Sequence, residues 1–233
     1  MCTSSPCASS ASATCEPMKP APPVTSARKT AHTTAPVFVT FEGLDGSGKT
    51  TQAELLRASL AAEGRSVVAT REPGGTPLGE EIRKLVLGGT AMSAWAECTL
   101  FAAARAELVE RVIAPALDGG SGVVCDRYID SSLAYQGIAR GLGVDRVLEL
   151  NLRVTRGLLP DLTFLVLVDP EEALSRSSPS DRIEREAAEF HLAVDAAYRS
   201  LAEMFPRRVL AIDGSRAPDE IAEEVRGRLR QLA

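Results

Sequence analysis

The run Gly43-Leu44-Asp45-Gly46-Ser47-Gly48-Lys49-Thr50 fits the pattern GxxxxGK[ST] at every fixed position, directly after a β-branched and aromatic stretch and directly before a helical one. Glycines at 43, 46 and 48 let the backbone curl until its amides face one point, and the following helix adds its positive end. Such a point suits the β-phosphate of ATP. Gly43, Leu44, Asp45, Gly46, Ser47, Gly48, Lys49, Thr50 and Thr51 are therefore the expected contacts to ATP. Within them Lys49 is placed to neutralise charge on the β and γ oxygens, and the Thr50 hydroxyl to ligate Mg2+ between those phosphates.

A second set of charges sits where two further strands should end. Arg71 closes the run Ser66–Arg71 and is followed by the turn Glu72-Pro73-Gly74-Gly75-Thr76, with Pro77 at the favoured first position of a helix. Asp126-Arg127-Tyr128 closes the run Gly122–Asp126. Taken singly, either arginine also fits a structural ion pair. Together, beside a phosphate loop, they suggest a second phosphate, because a guanidinium fork matches a phosphate monoester better than an ammonium does. Asp126 reads as the strand-end acid that holds magnesium directly or through water, with a structural aspartate as the alternative.

The elements that must position these residues follow from periodicity. Val37–Glu42, Ser66–Arg71, Gly122–Asp126, Leu162–Val168 and Arg208–Ile212 are expected strands, Lys49–Ala62 and Ala94–Leu117 expected helices, and a further helical pattern starts at about Arg182. Alternating βα units with strands apolar on both faces imply an α/β fold, a five-stranded parallel sheet flanked by helices. Sites on such sheets lie at the C-terminal ends of the strands. Residues 37–233 form one domain on this reading. Met1–Pro36 is rich in Ser, Ala, Thr and Pro, has Glu16 as its only acid, and reads as a disordered extension; its Lys19, Arg28 and Lys29 leave a transit peptide as the alternative.

Composition narrows the function. The net charge of -5 gives no global basic field for nucleic acid or an anionic membrane, and no apolar run is long enough to span a bilayer. A reducing, cytoplasmic setting fits five cysteines without a CxxC pair, and two histidines add little to a zinc site. The only asparagine, Asn151, precedes Leu152, so the NKxD guanine-reading sequence of a GTPase switch is absent. Ser175–Ser180 with Arg176, Arg182 and Arg185 reads as a lid, about residues 175–185, that excludes water and brings a guanidinium to the phosphoryl group; a charged solvated loop is the alternative.

The combination FEGLDGSGKTTQ, REPGGTPLGE, TLFAAAR, DRYIDSSLAYQG and DRIE resembles the bacterial thymidylate kinases, from Pro36 to the C-terminus. That resemblance implies the P-loop nucleoside monophosphate kinase fold and transfer of the γ-phosphoryl group of ATP to dTMP, giving ADP and dTDP. It implies Phe101 stacked on thymine, Arg105 on the base edge, Ser132 and Gln136 reading that edge, and Tyr135 crowding the sugar's 2′ position. Without it, Phe101 reads as core. Arg71 and Arg127 would clamp the acceptor phosphate, and Asp45 would lie near that phosphate and the 3′-hydroxyl. The resemblance further implies a catalytic arginine from either the phosphate loop or the lid, and with Gly46 and Ser47 in the loop it falls to the lid; Arg182 is then the expected catalytic group and Arg176 the adenine stack. A homodimer through Ala94–Leu117 is implied as well. A deoxynucleoside kinase, which has no acceptor phosphate to hold, and a nucleotide-gated binding protein are the competing readings.

Overall fold

Strand β1 (Phe38–Glu42) carries its side chains to two separate cores, and this alternation fixes the layering. Phe38 joins Val123, Cys125 and Leu165 on one side; Val39 and Phe41 join Val124, Phe164 and Val166 on the other. The computed structural model describes residues 35–176 and 181–231; the expected N-terminal extension lies outside them through residue 34. β1 pairs in parallel with β3 (Gly122–Asp126) and β4 (Leu162–Leu167), and β2 (Val67–Arg71) and β5 (Val209–Asp213) complete the sheet in the order β2-β3-β1-β4-β5.

One face is covered by α1 (Lys49–Ala62) and α9 (Pro218–Arg230), whose Leu56, Leu60, Ile221 and Val225 fill the second core. The other is covered by a long helical run and by α8 (Ala188–Met204). The long run is α3 (Ala94–Leu108), a π-helical turn at Val109–Ile113, and α4 (Ala114–Asp118), ending at Gly119 as its sequence implies. Between β2 and α3 lies α2 (Pro77–Leu87), with Pro77 at its start and the Thr76 hydroxyl accepting the Gly79 N–H at 2.9 Å. After β3 the chain forms α5 (Ile129–Ser132) and a second π-helical stretch, Leu133–Ala139, then α6 (Val144–Val154); α7 (Pro170–Arg176) follows β4.

Two expectations shift. The edge strand β2 is half exposed rather than apolar on both faces, because only β3 flanks it. The helical pattern expected from about Arg182 begins at Ala188 instead: the Asp181 carboxylate accepts the Ile183 and Glu184 N–H groups at 2.8 and 2.9 Å, which stabilises a turn over 181–186. Of the lid residues, 177–180 lie outside the described set.

Candidate active site

The phosphate loop runs from the C-terminal end of the central strand into α1, with Gly43, Gly46 and Gly48 all at positive φ. Gly46 has a second reason to lack a side chain, since a Cβ there would stand 2.2 Å from the Ala173 carbonyl oxygen of α7. Lys49 is buried, and its ammonium donates to the Leu44 carbonyl at 3.1 Å and to Asp45 Oδ1 at 2.8 Å. Burial and the neighbouring Arg127 lower its pKa.

Asp45 is the meeting point of two cations. Its Oδ1 also accepts from Arg127 Nη2 at 2.6 Å. Burial raises the Asp45 carboxyl, but Arg127 and Lys49 outweigh it and hold the group well below the ordinary carboxylate range.

Arg127 adopts φ 67, a conformation uncommon outside glycine, and the surroundings over-determine it. Buried Glu42 at the end of β1 accepts the Tyr128 N–H at 2.8 Å and the Ser131 N–H at 3.1 Å. Its other oxygen accepts the Ser131 and Tyr198 hydroxyls at 2.5 and 2.9 Å. Arg127 Nη1 donates in turn to Ser131 Oγ and Tyr198 Oη, each at 3.1 Å. Burial and nearby Asp130 raise the Glu42 carboxyl.

Thr50 Oγ1 donates to Asp126 Oδ2 at 2.5 Å, while Asp126 Oδ1 and the Ser47 hydroxyl are buried without a partner. A hydroxyl, a carboxylate and an unclaimed carboxylate oxygen are the hard oxygen donors Mg2+ takes, and a cluster of one carboxylate completed by substrate phosphates is its usual protein site. Among the described residues no group of three or more His, Cys, Asp or Glu could cage a metal without such help.

Beside this cluster a cavity of about 100 Å³ is lined by Asp45, Arg127, Ser132, Tyr135, Gln136 and Phe101, together with Glu72, Arg83 and residues of the 181–186 turn. The π-helical stretch Leu133–Ala139 supplies Tyr135 and Gln136, and its wider turn is a form often found at functional sites.

Three expected residues are not brought into it. Arg105 is fully buried beneath the cavity, held by the Tyr128 carbonyl at 3.0 Å and by Asn151; it touches the lining through Glu72 Oε2 at 2.6 and 2.8 Å and through Ser132 Oγ at 3.0 Å. Arg71 is exposed and paired with Glu80 at 3.1 Å, at the outer edge of the sheet. Arg182, expected at the phosphate loop, is bound to Glu97 Oε2 at 2.5 Å and to the Val86 carbonyl at 3.1 Å. Arg176 ends α7 beside Gly46, where it pairs with Glu172.

A second cavity, of about 460 Å³, opens at the ends of β4 and β5 and is lined in part by Glu172, Arg199, Asp213 and Ser215. It carries no mark in the sequence, since Asp213-Gly214-Ser215 resembles any polar turn. Glu72, Arg83 and Glu97 are likewise absent from the expected site residues. For Glu97 a signal existed: Glu97, Phe101 and Arg105 recur every four residues on α3 and so share one face. Arg83, on an amphipathic helix and donating to the Pro73 carbonyl at 3.0 Å, carries no such mark.

Comparison with known proteins bears on this geometry. A family model described as thymidylate kinase matches residues 41–225. The chain is 47% identical over 189 residues to a thymidylate kinase of Synechococcus sp. (strain JA-3-3Ab), covering 81% of this chain and 93% of the relative. It is 50% identical over 198 residues to a thymidylate kinase of Leifsonia xyli subsp. xyli, covering 83% and 94%. The crystal structure of thymidylate kinase from Ehrlichia chaffeensis superposes with a TM-score of 0.71 at 33% identity, covering 84% of this chain and all of that one.

Proposed function

The chain belongs to the thymidylate kinase family and transfers the γ-phosphoryl group of ATP to dTMP in dTTP synthesis, and we propose that its phosphate loop and the neighbouring cavity are the two halves of that reaction's site. The observation that carries this assignment is the convergence of Lys49 and Arg127 on one oxygen of Asp45. The cation of the donor loop and the cation of the acceptor cavity share a single anion, so a phosphoryl group passing between two phosphates has both within reach.

In this reading ATP lies along Gly43–Thr51, with its purine toward the cavity at the ends of β4 and β5 and Arg176 beside it. Thr50 and Asp126 would hold Mg2+, which would supply charge neutralisation at the phosphates when bound. The phosphate of dTMP replaces the Asp45 carboxylate as partner of Arg127, with Arg71 joining after release from Glu80. Phe101 stacks on thymine, Ser132 and Gln136 meet its edge, Tyr135 crowds the 2′ position, and Arg105 acts on the base from below through Ser132.

Positioning and charge neutralisation carry the chemistry. A phosphate oxygen of dTMP is already anionic near neutral pH, so in-line attack on the γ-phosphorus needs no general base. Arg182 contributes once it leaves Glu97. The acceptor cavity, at about 100 Å³, is smaller than the roughly 300 Å³ at which ligand pockets begin, so the 181–186 turn must withdraw to admit dTMP. A cytoplasmic homodimer joined through α3 and α4 completes the reading; Trp95, 43% exposed on α3, supports that face. Among the described residues no helix is long and apolar enough to cross a membrane.

The test is ADP release with ATP and Mg2+, each deoxynucleoside monophosphate, UMP and unphosphorylated thymidine being offered separately. Turnover should be confined to dTMP and dUMP. Preference for thymidine would reassign the protein as a nucleoside kinase, and no turnover with any acceptor would leave only nucleotide binding.

A further inference from the structure

Gln136 lines the acceptor cavity yet is only 2% exposed, so its amide has little freedom to choose a partner. Its Nε2 donates to Glu97 Oε1 at 2.9 Å. Glu97 is itself 1% exposed and receives two guanidinium groups: Arg140 at 3.2 and 3.3 Å and Arg182 at 2.5 Å. Burial raises its carboxyl, but hydrogen bonds from Gln136 and Arg182 and the charge of Arg140 outweigh this and keep the group ionised.

An ionised carboxylate only accepts hydrogen bonds, whereas an amide has one end that donates and one that accepts. The orientation of Gln136 is therefore not its own choice. With the nitrogen claimed by Glu97, the carbonyl oxygen is the end left for the cavity. We propose that Glu97 is a positioning residue for base selection: it turns the Gln136 amide so that an acceptor faces the nucleobase, favouring a base with an N–H at that edge over one with a lone pair there. The inference rests on the reading of the cavity as the dTMP site and adds to it the group that sets the polarity of recognition. Thymine and uracil present an N–H at N3; cytosine presents a lone pair, which would meet the amide oxygen head-on and leave both unpaired.

Replacing Glu97 by glutamine makes this testable, because the substitution inverts one hydrogen bond. Arg140 Nη2 donates to the Oε2 position at 3.2 Å, joined there by Arg182 while the turn is docked, and Arg140 Nε reaches Oε1 only at 3.3 Å beside Gln136, so an amide at residue 97 puts its oxygen at the Oε2 position and its NH2 group toward Gln136. Gln136 must then turn its oxygen to residue 97 and its NH2 group to the cavity. In Glu97→Gln the ratio of kcat/KM for dTMP over dCMP should fall roughly tenfold or more, the order expected when a hydrogen-bonding partner in a buried pocket is left unpaired. Glu97→Asp keeps an acceptor-only group and should keep the ratio, even if KM rises. A merely structural role would lower activity on both substrates and leave the ratio unmoved.

A folded, active Glu97→Gln enzyme with the wild-type ratio overturns the inference, as does loss of the ratio in Glu97→Asp. If Glu97→Gln does not fold, the wild type decides: with dTMP bound, the Gln136 side-chain NH2 protons should exchange slowly with solvent, and fast exchange overturns the proposal. A wild type inactive on dTMP removes the functional reading and this inference together, whereas an active wild type with an unmoved ratio removes the inference alone.

Discussion

Arg127 and Arg182 are each tied to a carboxylate at close range, but the two arrangements are built for opposite ends. Arg127 rises from a strand end, and Glu42, Ser131 and Tyr198 fix both its backbone and its side chain; only the partner on its outer nitrogen, Asp45, sits where a phosphate can replace it. Arg182 stands in a turn after α7, and its contacts to Glu97 and the Val86 carbonyl, with its own N–H on the Leu87 carbonyl, tie it to α2 and α3 rather than to the phosphate loop. On the proposed reading, one arginine is preorganised for its ligand, and the other is stored until its contact to Glu97 opens. Preorganised charge contributes without rearrangement at the moment of reaction, whereas a stored charge adds a conformational step.

The largest effect expected from breaking this contrast lies outside both arginines. Lys49→Ala should lower kcat by roughly 10²- to 10³-fold or more, as loss of a preorganised charge at the transferring group does, while circular dichroism stays unchanged. Near-normal turnover in the folded variant would remove the loop from the chemistry. Arg182→Ala separates a catalytic arginine from a storage contact: kcat should drop by about 10²-fold or more with KM for dTMP little moved. If kcat holds and only melting temperature changes, the Glu97 contact is all that Arg182 provides.

Tyr198→Phe probes the preorganised side. It deletes the hydroxyl that donates to Glu42 and accepts from Arg127; the bond to Arg127, about 1 kcal/mol, is the one that bears on the acceptor phosphate, so KM for dTMP should rise roughly fivefold with kcat nearly constant. A change in kcat alone would place Tyr198 elsewhere in the cycle.

The smallest effect concerns the buried floor. Burial pushes the Glu72 carboxyl up to about 7, against the pull of Arg105, so the folded protein keeps a proton there that the unfolded chain gives up at the ordinary carboxylate pKa. The stability this supplies is complete below that ordinary value and is lost as pH rises through about 7. Glu72→Gln should flatten the decline of melting temperature over that interval; an undiminished decline in the variant would assign it to another group.

Preorganised and stored charges also differ in how far the sequence reveals them. Strand ends and the phosphate loop are local, so β1 and β3 could be placed to within a residue and Lys49, Thr50, Asp126 and Arg127 put on one edge. Long-range pairing is another matter. Arg105 and Glu72, 33 positions apart, and Arg182 and Glu97, 85 apart, are joined only because α3 lies against both the β2 turn and the 181–186 turn. Periodicity states that Arg105 shares a face with Phe101, but not whether that face meets solvent, ligand or a buried acid. An arginine's partner is a property of the packed fold, and three arginines accordingly stand away from where motif order alone would put them.

The contracted acceptor cavity has a thermodynamic corollary. If dTMP enters only molecules whose 181–186 turn has withdrawn, its apparent dissociation constant equals the intrinsic one divided by the fraction so withdrawn. Every hydrogen bond that docks the turn, Arg182 to Glu97 foremost, then weakens dTMP binding from a distance without touching the nucleotide. The affinity for dTMP would then be an equilibrium between two guests for one space, the nucleotide and the protein's own turn.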